Sequence, residues 1–310
     1  MITRRNIRVK VMQLLYSIDS TNDSSAFKNP AIILEKKFTQ TSELLVYIFY
    51  HIVSIAQYAE VSARNRAAKY VPSVEDLSVN TKVSGNQILW EILENSTYQQ
   101  AIENFKTPLK SVMDIIKKLF TQLSETKEYQ LYIHQQNRER KEEIDMLSFI
   151  FNSLMLQSEL FISSAEDIFE NWDDDSEMLQ TVINSYFNKI NNLQFEKLID
   201  NDKLNYARTL LNTCIEKNDY LLELITPKFK NWDADRIASL DMIILKLGLT
   251  ELLYFETIPT KVTINEYIDI AKEYSTVQSG QFINGILDNL HKELVEKGKI
   301  TKVDFKKQKK

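Results

Sequence analysis

Apolar residues recur at helical spacing along almost the whole chain. Ile7, Val11, Leu14, Leu15 and Ile18 follow the three- and four-residue steps of one helix face, which predicts an amphipathic helix over residues 4–19 with its basic residues in the first turns. After the polar stretch STNDSSAFKNP, a long helix is expected from about Ser42 to Tyr70, ending near Pro72. Its centre, LLVYIFYHIVSIA at 44–56, is 13 residues long, short of the ~20 needed to cross a bilayer, so it reads as a buried helix. The loop VPSVEDLSVNTKVSGN follows, and Ser84 with Gln87 reads as a capping box opening the helix QILWEILEN. Further helices are expected from Pro108 towards Glu139 and from Glu142 to Phe161. Beyond Leu204 they run to Lys217, from Tyr220 to Pro227, after Trp232, and from a capping box of Thr263 and Glu266 through INEYIDIAKEY. A last helix runs through Leu290. No segment asks for a strand, so the expected fold class is all-α.

The pentads NWDDD at 171–175 and NWDAD at 231–235 each precede an apolar-periodic helix. Shared capping chemistry accounts for them more simply than duplication of a helical unit. The consecutive acids Asp173, Asp174 and Asp175 suit the positive end of a helix dipole better than a catalytic or metal site.

Charge changes the picture because its distribution is uneven. The net charge is -5, yet residues 1–10 hold Arg4, Arg5, Arg8 and Lys10 with no acid, and residues 297–310 hold seven lysines against Asp304. Basic arms can meet phosphates by counterion release, whereas a lysine-rich tail is as often a solvated terminus. The single cysteine, Cys214, leaves no internal disulfide and fits a reducing compartment. No signal-peptide apolar region is visible, and the expected location is cytoplasmic. His51, His134 and His291 are scattered without ligand spacing, and both phosphate-loop motifs are missing. No metal, cofactor or catalytic residue is therefore expected.

Five glycines serve 310 residues, and two of them, Gly280 and Gly285, fall within VTINEYIDIAKEYSTVQSGQFINGILDNL at 262–290. This stretch carries the most specific signal. Ile258, Pro259, Lys261, Val262, Ile264, Asn265, Glu266, Ala271 and Lys272, then Ser279, Phe282, Ile283, Asn284, Gly285, Leu287 and Asp288, resemble the C-terminal signature of the NusB family of bacterial transcription antitermination factors. Gln13, Leu15 and Tyr16, preceded by arginines, resemble that family's first helix. The resemblance covers roughly 1–19 and 202–291.

It implies a NusB-like helical bundle with a further helical segment inserted after the first helix: residues 1–19 plus 202–292 as the RNA-binding bundle, 20–201 as an inserted region of unknown role, and 293–310 as a basic tail. It also implies that the chain binds boxA-type RNA together with the ribosomal protein NusE, within the RNA polymerase antitermination complex. No catalysis and no membrane are implied, and a homodimer stays open. Arg4, Arg5 and Arg8 fall on the family's RNA-binding arm, where fork-shaped donors suit phosphate and unpaired bases. Gln281 and Phe282 fall near the RNA surface, and Asp241 and Gln278 on the partner side. Phe282 is expected at the edge of the apolar stripe with its ring facing RNA, the alternative being core packing. Gly285 reads as a packing position where a neighbouring helix approaches. Asn6, Gln278 and Gln281 depart from the charged residues common at these places. The rival reading is a protein–protein adaptor in ribosome assembly that has lost RNA binding.

Overall fold

The computed structural model describes residues 2–21, 28–104, 112–229 and 237–303. The pentad at 231–235 and the tail residues 304–310 lie outside them. Among the described residues there is no strand. Helices α1 (Arg4–Ser20) and α2 (Pro30–Ala67) come first. The middle of the chain holds α3 (Val74–Leu77), α4 (Gln87–Glu94), α5 (Ser96–Asn104), α6 (Met113–Glu125), α7 (Lys127–His134), α8 (Arg140–Phe149), α9 (Glu159–Ile168) and α10 (Trp172–Tyr186). The C-terminal part holds α11 (Asn201–Glu216), α12 (Asn218–Ile225), α13 (Ser239–Tyr254), α14 (Thr260–Tyr274) and α15 (Val277–Glu296). The chain divides into two compact units, one of Phe38–Leu198 and a terminal unit of Ile2–Lys37 with Ile199–Lys310.

In the terminal unit, α13 is apolar on all sides and occupies the centre, packed by α1, α11, α12, α14 and α15. Helix α1 reaches α11 and α13 across ~180 intervening residues, turning Ile7, Val11, Leu14 and Leu15 inward. Burying four such side chains contributes about 6–12 kcal/mol. The closure entropy of the long connection grows by only about 0.6 kcal/mol per doubling of its length. Burial therefore wins. A Cβ added at Gly248 would lie 2.9 Å from Leu287 Cδ1 and 3.4 Å from Tyr267 Cδ2, so this glycine is where α13 closes on α14 and α15.

In the other unit, α2 supplies the core: Leu44, Leu45, Val46, Tyr47, Ile48, Phe49, Ile52, Val53, Ile55 and Ala56 are all buried. The most apolar 18-residue window of α2 is 67% buried, so its hydrophobicity is spent on this core. Phe49 meets Phe187 and Phe195 edge-on, while Tyr47 lies against Phe161 and Phe169.

Several elements differ from the sequence expectation for identifiable reasons. Helix α2 starts at Pro30 rather than near Ser42, because proline is well placed in a first turn and Asn29 accepts from Ile32 N through its side chain at 3.4 Å. The start of the helix expected from Pro108 to Glu139 lies outside the described residues, and from Met113 on it is two helices, divided at Thr126, whose hydroxyl caps α7. The one expected from Glu142 to Phe161 passes from α8 into a π-helical segment, Ile150–Met155, and then turns by 81° into α9, capped by Ser158. Asn86, not Ser84, caps α4, accepting from Ile88 N and Leu89 N at 2.9 and 3.2 Å. Thr263 and Glu266 lie inside α14, which opens at Thr260, and their side chains serve a different purpose.

Candidate nucleic-acid interface

Helix α1 opens with a capping box built from Thr3 and Asn6: Asn6 N donates to Thr3 Oγ1 at 3.3 Å, and Thr3 N donates to Asn6 Oδ1 at 3.2 Å. Asn6, which stands where an arginine was expected, is thus engaged in starting the helix. The first turns then project the three arginines into three different environments. Arg4 is exposed, its guanidinium 5.7 Å from the centroid of the Tyr206 ring. Arg5 is half-buried and donates from Nη2 to Glu273 Oε2 at 2.5 Å.

Arg8 goes inward and is only 2% exposed. Its Nε and Nη2 grip Glu251 of α13 at 2.9 and 2.8 Å, and Nη1 donates to Glu266 of α14 at 2.9 Å. Glu251 also accepts from Tyr206 OH at 2.6 Å and from Thr263 Oγ1 at 2.7 Å, so each carboxylate oxygen has two donors. The Tyr206 and Tyr267 rings flank the guanidinium at 6.0 and 5.8 Å. Burial alone would lower the Arg8 pKa, but the Glu251 hydrogen bonds raise it above the ordinary value. Burial would raise that of Glu251, and its bonds to Arg8, Tyr206 and Thr263 bring it below the usual carboxylate range. Arg8 therefore staples α1 to α13 and α14. The expectation that it grips RNA is corrected: a fully committed, buried guanidinium has no face left for phosphate.

Phe282 is corrected likewise. It is 7% exposed, with its ring 6.0 Å from that of Phe229. It shares the helix face of Ile286 and Leu290, one turn and two turns on, and the buried side of α15 is wide enough to include all three. Gln281, the preceding residue, is exposed. The Arg5–Glu273 contact sets the start of α1 beside the end of α14, and the Lys272 side chain lies against Gly280 in the first turn of α15. Arg5, Lys272 and Gln281 thus belong to neighbouring helix ends.

On the partner side, Gln278 is exposed in the first turn of α15, which Thr276 caps. Asp241 is buried; its Oδ2 accepts from Ser279 Oγ at 2.8 Å, and its Oδ1 is buried without a hydrogen-bond partner among the described residues. The close approach expected at Gly285 occurs instead at Gly280. A Cβ at Gly280 would sit 2.7 Å from Lys272 Cγ, whereas Gly285 is exposed with nothing within 4 Å of an added Cβ. Close approach is needed at Gly280, not at Gly285.

The sequence reading missed Glu251, Tyr206 and Glu273. A lone acid in the apolar run of α13 was the available signal, since a buried carboxylate requires a cation.

The terminal unit holds 24 Lys and Arg against 20 Asp and Glu, a net +4, and the Phe38–Leu198 unit holds 14 against 23, a net -9. The NusB family model matches residues 163–292, starting ahead of the expected boundary at 202. Similar proteins include the transcription antitermination protein NusB of Methylacidiphilum infernorum, 47% identical over 83 residues, 27% of this chain and 58% of the relative. The protein of the same name from Salinibacter ruber is 38% identical over 97 residues, 31% of this chain and 61% of the relative. That from Finegoldia magna is 40% identical over 94 residues, 30% of this chain and 69% of the relative. The chain thus spans about three-fifths of the length of the first two relatives. No solved structure matches. With the signature of α14 and α15 seated on an all-α unit completed by α1, and with that breadth of similarity, the chain belongs to the NusB family.

Proposed function

We propose that this chain is an RNA-binding transcription antitermination factor, acting in the cytoplasm without catalysis on boxA-type elements of ribosomal RNA transcripts together with NusE. The observation that carries this reading is the exposed Arg4 and half-exposed Arg5 at the start of α1, next to the helix ends bearing Lys272 and Gln281, on a unit of net positive charge. Such donors suit single-stranded RNA, whose phosphates and unstacked bases are both reachable. Gln278, exposed in the first turn of α15, would face NusE, and the buried Asp241 at the start of α13 would support that surface by holding Ser279. The bundle proposed for this role combines 1–19 with 202–292.

The test is RNA titration by fluorescence anisotropy, with and without NusE, over a series of salt concentrations. The double substitution Arg4→Ala, Arg5→Ala should weaken binding and reduce the log-log salt slope by about 0.7 per lost phosphate contact, with the melting temperature unchanged. An unchanged affinity and slope would refute the arginine arm. A second reading, a ribosome-assembly adaptor without RNA binding of its own, is favoured by the withdrawal of Arg8 and Phe282 into the fold and by Glu273 neutralising Arg5. It predicts NusE binding in the absence of RNA binding.

A further inference from the structure

Where α2 leaves the core of the Phe38–Leu198 unit, every residue from Arg64 to Val71 is exposed. Tyr70 is 102% exposed, and Val71, Val74 and Leu77 are also exposed, so four large apolar side chains stand in water within eight positions. This tip is held in place. Asp76 is buried beneath it and accepts from Lys69 Nζ at 2.8 Å, Arg66 Nε at 3.0 Å and Ser73 N at 3.1 Å, while Ser73 and Asp76 form the capping box of α3. Largely exposed apolar side chains, rimmed by Arg64, by Arg66 and Lys69 in their pairing with Asp76, and by Glu75, form a surface suited to a counterpart.

The same unit carries a surface of opposite character. Along α9 lies an open, shallow groove of about 600 Å³ bordered by Glu159, Leu160, Ser163, Ser164, Asp167 and Ile168. Leu160 is exposed there. From Glu142 to Asn188 the chain has eleven Asp and Glu and no Lys or Arg. The tip is apolar with a net charge of +1, Arg64 being its cation outside the Asp76 ion pairs, and the groove is apolar and acidic.

We propose that the tip of one copy of this chain seats in the α9 groove of a second copy, reciprocally, making a dimer through the Phe38–Leu198 unit. Tyr70, Val71 and Val74 cover Leu160 and Ile168, and the tip cations face Glu159 and Asp167. An RNA occupant fits less well. It would leave Val71, Val74 and Leu77 in water and meet a unit of net charge -9. An isologous pairing uses both surfaces twice and closes, leaving neither exposed. The inference does not rest on the RNA reading of the terminal unit.

Sedimentation velocity of the full chain across a wide concentration range, at low and high salt, tests it. A concentration-dependent dimer that salt dissociates is expected, because the rim charges are screened. Arg64→Glu and Asp167→Lys touch exposed side chains, so each variant should keep the wild-type circular dichroism and melting curve. Each alone should weaken dimerisation by about tenfold, since like charges then oppose at both contacts. An equimolar mixture of the two should dimerise as wild type does, because both contacts regain opposite charges. A wild-type chain that stays monomeric at all concentrations overturns the proposal. So does a dimer that neither variant weakens, or a mixture that fails to recover.

Discussion

Replacing Arg8 by methionine should strongly destabilise the terminal unit while leaving RNA affinity per folded molecule unchanged. The side chain is 2% exposed, and Glu251, its bidentate partner, is fully buried. Methionine keeps most of the stem volume, so the cavity contribution is small and the loss is electrostatic. Glu251 would retain only Tyr206 and Thr263 as donors, and Glu266 would lose its cation. Removing one partner of a buried pair costs about 3–5 kcal/mol. For a unit of this size that lowers the melting temperature by about 2–4 °C per kcal/mol. Arg4→Ala, at an exposed position, should stay within about 0.5 kcal/mol of wild type.

The pH dependence gives a second handle on the same substitution. In the native unit Glu251 titrates below the ordinary carboxylate range, so its contribution is present above the unfolded value and lost as pH falls through the folded one. Without Arg8, burial raises that carboxyl, and the variant loses stability as pH rises through the raised value. The deficit should be largest at neutral pH and should narrow towards about pH 5. Urea unfolding of Arg8→Met and of Arg8→Met, Glu251→Gln, followed by circular dichroism at both pH values, measures this, and the double variant should recover part of the loss. A single variant within about 1 kcal/mol of wild type at neutral pH, or a deficit independent of pH, would refute the reasoning.

Phe282→Ala should cost about 3–5 kcal/mol of stability by opening a cavity beside Phe229, measured by denaturant unfolding; a change below about 1 kcal/mol would contradict its burial. Gly285→Ala should stabilise by about 0.5–1 kcal/mol, because it sits mid-helix in open space, and a lower melting temperature would show a contact that the fold does not contain. His51 is buried among Tyr47, Phe161 and Tyr50, and burial pushes its pKa down to about 4. Because the unfolded chain binds the proton more readily, the Phe38–Leu198 unit should lose stability as pH falls from about 6.5 to about 4, by up to about 3 kcal/mol. The variant His51→Leu should flatten that part of the stability–pH curve, and an unaltered curve would assign the dependence to other groups.

What the sequence determined by itself was whatever repeats over three or four residues. The stripe of Ile7, Val11, Leu14 and Leu15 specified α1 and its inward face, and the signature spanning α14 and α15 specified the family. Helix ends were less legible. Thr263 and Glu266 have the spacing of a capping box, yet α14 begins at Thr260 and both side chains bind partners on other helices. Asn6 marks the reverse case, a residue read as a missing arginine that is a cap. Tertiary structure decided which of the three arginines face water. Their spacing along α1 is the same whether Arg8 meets RNA or carboxylates, and its main partner lies 243 positions away. It likewise decided that Phe282 is inside and Gly285 outside, since the width of a buried helix face depends on what packs against it. Local periodicity records which face of a helix avoids water. Only the assembled fold records how much of that face is covered, and which charges are carried in with it.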